Sequence, residues 1–284
     1  MTQNARLSYI AAMNGRSRII LSSMTLTLRQ LTYLWDSRTS VRILYYHSIS
    51  DGRMRSSVSP AAFESQMEYL LRNNYRILSL SEVTQYIASC TPFPERSLTI
   101  TLDDGFQDNY ENAFPILRRV GFKATIFLAV SYIGTDRLAT LTEAEFIPRP
   151  LAWDQVKEMH QHGIEFGSHT LTHPMLSQIS HDEARREIRE SKRTIEEALG
   201  TPVHFFCYPR GDFNDAVKRI VKEEGYLAAC TTLPGLNDWT TDLFALRRTY
   251  VSRRDTAREF AKKVAGAYDV LQQALHLWRR LRRR

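Results

Sequence analysis

Between residues 41 and 251 the chain alternates short apolar runs with longer stretches in which apolar residues recur every three or four positions. VRILYYHSI (41–49), RSLTITL (96–102), KATIFLAV (123–130), IEFGSHT (164–170), HFFC (204–207), YLAACTT (226–232) and FALRRTYV (244–251) read as strands. PAAFESQMEYLLRNNY (60–75), SLSEVTQYIASC (79–90), NAFPILRRVG (112–121), LAWDQVKEMHQHG (151–163), HDEARREIRESKRTIEEALG (181–200) and DAVKRIVKEEG (215–225) read as helices, the long charged one closed by Gly200. Strand and helix take turns at short intervals. That order predicts an α/β fold with a parallel sheet and crossover helices, and about seven such units suggest a barrel, open or closed.

The ends follow a different pattern. In residues 1–40, Ile20, Met24, Leu28, Leu31 and Trp35 recur at helical spacing among arginines. In the C-terminal tail, 263–284, Tyr268, Leu271, Leu275 and Trp278 share a helical face, and the last six residues, RRLRRR, hold five arginines. Both ends suit amphipathic helices. Such helices either pack on the body or lie on an anionic membrane surface.

Composition narrows the class. Hydrophobic residues make up 43% of the 284, enough for a sizeable enzyme core. The formal charge of +7 belongs to the two ends, and the stretch between them is slightly acidic, which argues against a nucleic-acid surface. Cys90, Cys207 and Cys230 are odd in number and widely spaced, so neither a disulfide framework nor a cysteine zinc site is expected. There is no run of about twenty apolar residues to span a membrane. RSRIILSSMTLTL (16–28) is interrupted by Ser and Thr and is followed by no small-x-small cleavage site. The expectation is an uncleaved, cytoplasmic protein, peripheral at the inner membrane face.

The polar residues then gather at strand ends. His47 ends the first strand, Asp103 and Asp104 the second, His169 the fourth, and Tyr208-Pro209-Arg210 the fifth. In parallel α/β folds the carboxyl ends of the strands form one rim, where sites are built. SHTLTHP (168–174) adds His173 four positions after His169. Two imidazoles and a carboxylate from Asp103 or Asp104, with an open position, suit a catalytic zinc; the same set suits non-haem iron. The second carboxylate stays free to take a proton from water. Gly105 allows the sharp turn after the pair.

TLDDG, SHTLTHP and the YPRG turn, with ILYYHSIS, KATIFLAV and LFALRRTYV around them, resemble NodB-type polysaccharide deacetylases over about residues 41–262. The resemblance implies a deformed (β/α)7 barrel and the metal-dependent removal of N-acetyl groups from an amino-sugar glycan or glycolipid. It implies Asp103 as general base and Asp104, His169 and His173 as ligands of Zn²⁺, or of Co²⁺ or Ni²⁺. The family's third motif carries an arginine and a tyrosine where this chain has Cys207 and Arg210. Arg210 therefore keeps only a backbone donor for the oxyanion. Arg248 matches an arginine of the poly-N-acetylglucosamine deacetylase branch that would replace the missing partner of the base. ILYYHSIS matches that branch's early strand, which makes His47 the expected general acid. Three alternatives stay open: an O-acetyl or formyl sugar deacylase of the same fold, a non-haem iron oxygenase, and a non-catalytic carbohydrate-binding protein. Retention of both aspartates counts against the last.

Overall fold

The apolar runs form one curved sheet. The computed structural model describes residues 39–52, 54–135 and 149–267. Its strands are β1 (Ser40–Tyr46), β2 (Arg76–Ile77), β3 (Ser97–Leu102), β4 (Thr125–Leu128), β5 (Glu165–Ser168), β6 (Phe205–Cys207), β7 (Ala228–Cys230), β8 (Asn237–Asp238) and β9 (Thr249–Tyr250). The order is β7-β6-β5-β4-β3-β1-β8, with β2 also on β3 and β9 also on β1. All pairings are parallel except that of the short β8 with β1.

The two ends of this sheet meet. Cys230 at the end of β7 bridges to Leu246 in parallel, and the Thr231 amide donates to the Leu246 carbonyl at 2.9 Å. Three residues further on, β9 pairs with β1. The ring β1-β3-β4-β5-β6-β7-β9 has seven members. It is a deformed (β/α)7 barrel whose last member is thin: FALRRTYV is a turn at Leu243–Ala245 followed by the two-residue β9, rather than one continuous strand. The stretch spends its backbone groups on several partners. Leu246 bonds to β7, the Arg248 amide to the Leu233 carbonyl, and the Val251 amide to Tyr45.

Among the described residues seven α-helices alternate with the strands or follow the last of them: α1 (Pro60–Arg72), α2 (Leu80–Ala88), α3 (Phe114–Val120), α4 (Trp153–Gln161), α5 (His181–Leu199), α6 (Asp215–Glu223) and α7 (Ala257–Val264). Their starts follow ordinary capping chemistry. Ser79 and Glu82 form a capping box on α2, Ser180 caps α5 and Thr256 caps α7. Gly200 ends α5 in the left-handed conformation.

The period of two along each strand sorts side chains into two cores. Leu44, Tyr46, Leu98, Ile100, Leu102, Ile126, Leu128 and Phe206 pack outward against helix residues such as Phe63, Met67, Leu117, Ile188 and Val221. Val41, Ile43, Phe127, Phe205, Cys207, Ala228, Cys230 and Leu246 form a separate inner cluster with Leu80, Val83 and Ile87 of α2. Glu165, the first residue of β5, accepts from the Leu80 amide and the Ser81 hydroxyl, so α2 plugs the end where strands begin. Gly167 gives the inner layer its room. A Cβ there would sit 2.6 Å from the Phe127 ring and 2.8 Å from the Phe205 carbonyl.

The same parity fixes the chemistry. Thr99, Thr101 and Asp103 point the same way along β3, as do Tyr45 and His47 after β1, and Gly167 and His169 along β5. The basic ends, with the positions 20, 24, 28, 31, 35, 268, 271, 275 and 278, lie outside the described residues. No helix among the described residues is long and apolar enough to cross a membrane.

Candidate metal and proton-transfer site

Asp103, His169 and Tyr208 each stand one step beyond a strand, held there by the ladder of the next. The Asp103 amide donates to the Tyr46 carbonyl at 3.0 Å, the His169 amide to Leu128 at 2.8 Å, and the Tyr208 amide to Cys230 at 3.1 Å. The backbone then turns sharply. Asp104, Thr170, His173 and Arg210 all have φ between 56° and 77°, a left-handed conformation unfavourable for residues with a Cβ. Gly105 (φ 75°) completes the first of these turns, and a Cβ on it would meet Leu128 at 2.8 Å.

At the rim, the Asp104 Oδ1 atom lies 3.5 Å from His169 Nε2 and 3.6 Å from His173 Nε2. These three ligand atoms lie within 4.8 Å of one another and are almost wholly shielded from solvent. The Cys207 carbonyl accepts from His169 Nδ1 at 2.7 Å, which leaves a lone pair on Nε2. A lone pair and a carboxylate oxygen thus face each other just beyond hydrogen-bond range. Two acceptors so arranged suit a shared cation. Burial pushes both imidazoles down to about 4, so they are neutral near pH 7, as ligands must be. The residues present fit a divalent ion with two imidazoles and one carboxylate.

A second set, Asp103, His169 and Cys207, is equally close. Its donors are engaged elsewhere. Burial raises the Cys207 thiol well above its ordinary value, against the pull of Arg248, so it is no thiolate. Both Asp103 oxygens belong to Arg248.

That pairing is the best-defined feature of the barrel interior. Arg248 Nη1 donates to Asp103 Oδ1, and Nη2 to Oδ2, each at 2.7 Å. The remaining donors go to Thr101 Oγ1 (3.0 Å), Cys207 Sγ (3.0 Å) and the Thr231 carbonyl (2.9 Å). All five guanidinium N–H groups therefore have acceptors. The guanidinium also lies 4.4 Å above the centre of the Tyr45 ring. Arg248 is 1% exposed and Asp103 3%. Burial would raise the Asp103 carboxyl, but the Arg248 charge and hydrogen bonds outweigh it and bring it down to about 2.

His47 lies near both. Its charge bears on Asp103 and on His173. Its ring rests between Tyr45 (5.8 Å) and the edge-on Tyr250 (6.0 Å), and its buried Nδ1 has no partner. Arg210 stands on the lip with an exposed side chain, and its charge also helps to lower His173. Asp103, Asp104, His169, His173, His47, Arg248 and Arg210 thus all reach one rim or the space beneath it. The sequence reading missed Cys207 as an Arg248 acceptor, Thr101 as its neighbour, and Asp108 and Asn109, which follow the aspartate pair. The two-residue periodicity of TITLD carried a signal for Thr101.

Two outcomes follow from the buried pair and the imidazoles. Arg248→Met should lower the unfolding free energy by about 3–5 kcal/mol, because Asp103 keeps a buried charge with no partner. Adding Asp103→Asn should restore much of that loss in denaturant melts; simple additivity would show that the two are not coupled. The second outcome concerns pH. The ion-free protein should gain stability with rising pH between about 4 and 6.5, where the unfolded chain binds protons that folded His169 and His173 refuse. Asp103 adds stability that is present above 3.8 and lost as pH falls to about 2. Urea melts across pH should show the upper slope reduced in His169→Asn and the lower slope reduced in Asp103→Asn.

Comparisons with known proteins agree with this geometry. A polysaccharide deacetylase family model matches residues 91–229. A Bacillus subtilis (strain 168) protein assigned to the polysaccharide deacetylases, YxkH, is 34% identical over 210 residues, which is 74% of this chain and 71% of that one. The poly-beta-1,6-N-acetyl-D-glucosamine N-deacetylase of Staphylococcus aureus (strain MRSA252) is 27% identical over 64% of this chain; the match spans 63% of that enzyme, under two thirds. Among solved structures, the Streptococcus pyogenes deacetylase PplD, in complex with acetate, superposes with a TM-score of 0.70 at 26% identity, covering 80% of this chain and 99% of that one. IcaB from Ammonifex degensii shares the fold, with a TM-score of 0.71 at 22% identity over 81% of this chain and 97% of that one. The chain belongs to the NodB-type polysaccharide deacetylases, hydrolases that remove acetyl groups from carbohydrate.

Proposed function

We propose that the chain removes N-linked acetyl groups from the amino sugars of a glycan, with Asp103 as base, His47 as acid and Asp104, His169 and His173 as the ion-binding set. The observation that carries this reading is the division of labour between adjacent carboxylates. Asp103 is tied to Arg248 through both oxygens, whereas Asp104 faces two neutral imidazoles. An amide needs an activated water, a polarised carbonyl and a protonated leaving amine, and each demand has a candidate group at this rim.

Asp103 is ionised at every pH of interest, yet a carboxyl near 2 is a weak base. It accepts a proton readily only from an unusually acidic water. Asp104, His169 and His173 would hold a divalent ion, of which Zn²⁺ is our choice ahead of Co²⁺ and Ni²⁺; it would supply Lewis acidity, which lowers the pKa of water from about 15.7 to near 7. Asp103 takes that proton while water oxygen attacks the acetyl carbon. Arg248 holds the carboxylate at a fixed angle throughout; Oδ2 also faces the Cys207 thiol, and Oδ1 keeps a lone pair for the incoming proton. The Arg210 backbone N–H is our candidate donor to the developing oxyanion, worth about 3 kcal/mol if well aimed. His47 gives its proton to the nitrogen as the C–N bond breaks. Acetate and a free amino sugar leave. The N-deacetylase named for the staphylococcal relative supports an N-acetylglucosamine polymer as substrate.

Acetate release should therefore be larger from β-1,6-linked N-acetylglucosamine oligomers than from matched O-acetyl or N-formyl sugars. Chelation should abolish it and added Zn²⁺ restore it. Asp103→Asn, checked by melting to be folded, should lose about 10²–10⁴-fold in turnover. Chelator-insensitive release, or a preference for the O-acetyl sugars, would overturn the reading. The basic ends, with apolar residues at helical spacing, also support a place at the anionic inner face of a membrane and a lipid-linked glycan as substrate. The full chain should float with anionic vesicles and lose that binding when residues 268–284 are removed; equal flotation of both chains would count against it.

A further inference from the structure

We propose that Asn109 and Asp108 are positioning residues that clamp the segment carrying His47 and so hold the acid opposite the base. The proposal rests on the reading of His47 as the proton donor.

The clamp begins in the turn that carries the aspartate pair. The Asn109 amide donates to the Phe106 carbonyl, and residues Asn109–Ala113 form a wide π turn before α3. From this turn, Asn109 Nδ2 donates to the His47 carbonyl at 2.8 Å and to Asp108 Oδ1 at 3.0 Å. Asp108 Oδ1 accepts from the Ile49 amide at 3.0 Å, and Oδ2 from the Ser48 hydroxyl at 2.5 Å. Asn112 Nδ2 donates to the Ile49 carbonyl at 2.7 Å. Every residue of 47–49 is therefore gripped by side chains from 108–112. The Asp103 amide meanwhile donates to Tyr46. One turn thus fixes the base directly and the acid at one remove.

The energetics argue for position over stability. Asn109, Ser48 and Asp108 are all buried, and Asn109 Oδ1 has no partner. An unsatisfied buried carbonyl costs free energy, which an apolar residue of similar size would avoid. What Asn109 contributes instead is a directed bond to the one carbonyl that sets the height of the imidazole. His47 needs such help, because its ring nitrogen Nδ1 has no hydrogen-bond partner and the ring is located only by its contacts with Tyr45 and Tyr250. A shift of about 1 Å in a proton donor is enough to lower a rate by about 10²-fold.

The test is a double-variant cycle on acetate release from N-acetylglucosamine oligomers, with melting temperature and bound metal measured for each protein. His47→Gln should fall steeply. Asn109→Ala should fall 10- to 100-fold with metal content unchanged, and should add nothing further in the His47→Gln background. Its amide-to-ester rate ratio, against 4-nitrophenyl acetate, should fall too, because a phenolate leaves without a proton. A full multiplicative loss on top of His47→Gln, or equal loss on amide and ester, would overturn the clamp and leave Asn109 a fold residue. Near-normal amide turnover by His47→Gln would sink the acid assignment itself, a distinct result. Should Asn109→Ala not fold, Asn112→Ala runs through the same cycle, and the same two outcomes decide.

Discussion

A charged pair in the middle of a hydrophobic barrel is the constraint around which the rest is arranged. Removing a carboxylate and a guanidinium from water carries a desolvation penalty of several kcal/mol per ion, recovered only when geometry is good and every remaining donor is matched. Asp103 and Arg248 meet that condition through two short bonds, with Thr101, Cys207 and the Thr231 carbonyl absorbing the other three N–H groups. The acceptors come from β3, from β6 and from just past β7, and Arg248 itself enters just before β9. The network therefore ties the sheet's middle to its closing seam. It also explains why that seam can be so thin. Two residues of β9 and a single bridge at Leu246 suffice where a buried side chain spans the gap.

Above this pair lie Asp104, His169 and His173, a set that fits a divalent ion, and the division between the two levels is a matter of one residue. Asp103 points inward with the even spacing of Thr99 and Thr101; Asp104 follows in a left-handed turn that lifts it to the rim. The same device recurs at Thr170, His173 and Arg210. Such conformations persist only where surrounding structure over-determines them. Here the ladders of neighbouring strands do so, through amides that continue the hydrogen-bonding one step past each strand. Strain at the rim and regularity below it are two parts of one arrangement.

Much of this was legible in the chain. The alternation of apolar runs gave the parallel sheet, and the rim followed from where Asp103, His169 and His47 fall. Resemblance then separated the roles expected of Asp103 and Asp104, and pointed to Arg248. What could not be read locally depends on distant contacts. FALRRTYV has the composition of a strand, yet its backbone bonds are divided among Ala229, Thr231, Leu233 and Tyr45, so only Thr249–Tyr250 pairs as one. The inward turn of Arg248 had no local signal, because nothing in LRRTYV distinguishes Arg247 from Arg248; only the resemblance singled it out. The π turn at Asn109–Ala113 leaves no local trace either, since its residues would sit equally well in an α-helix. Cys207 reads as a small apolar residue and becomes an acceptor only beside that guanidinium.

The five-fold saturation of the guanidinium has a consequence for anyone who would move this chemistry to another scaffold. The aspartate pair and the two histidines are compact in sequence and look portable. Copied alone into a barrel lacking the long-range partner, the inner carboxylate would be stranded in oil and would hold on to its proton. The smallest transferable unit is five segments, around 101–104, 169–173, 207, 231 and 248, which must be grafted together.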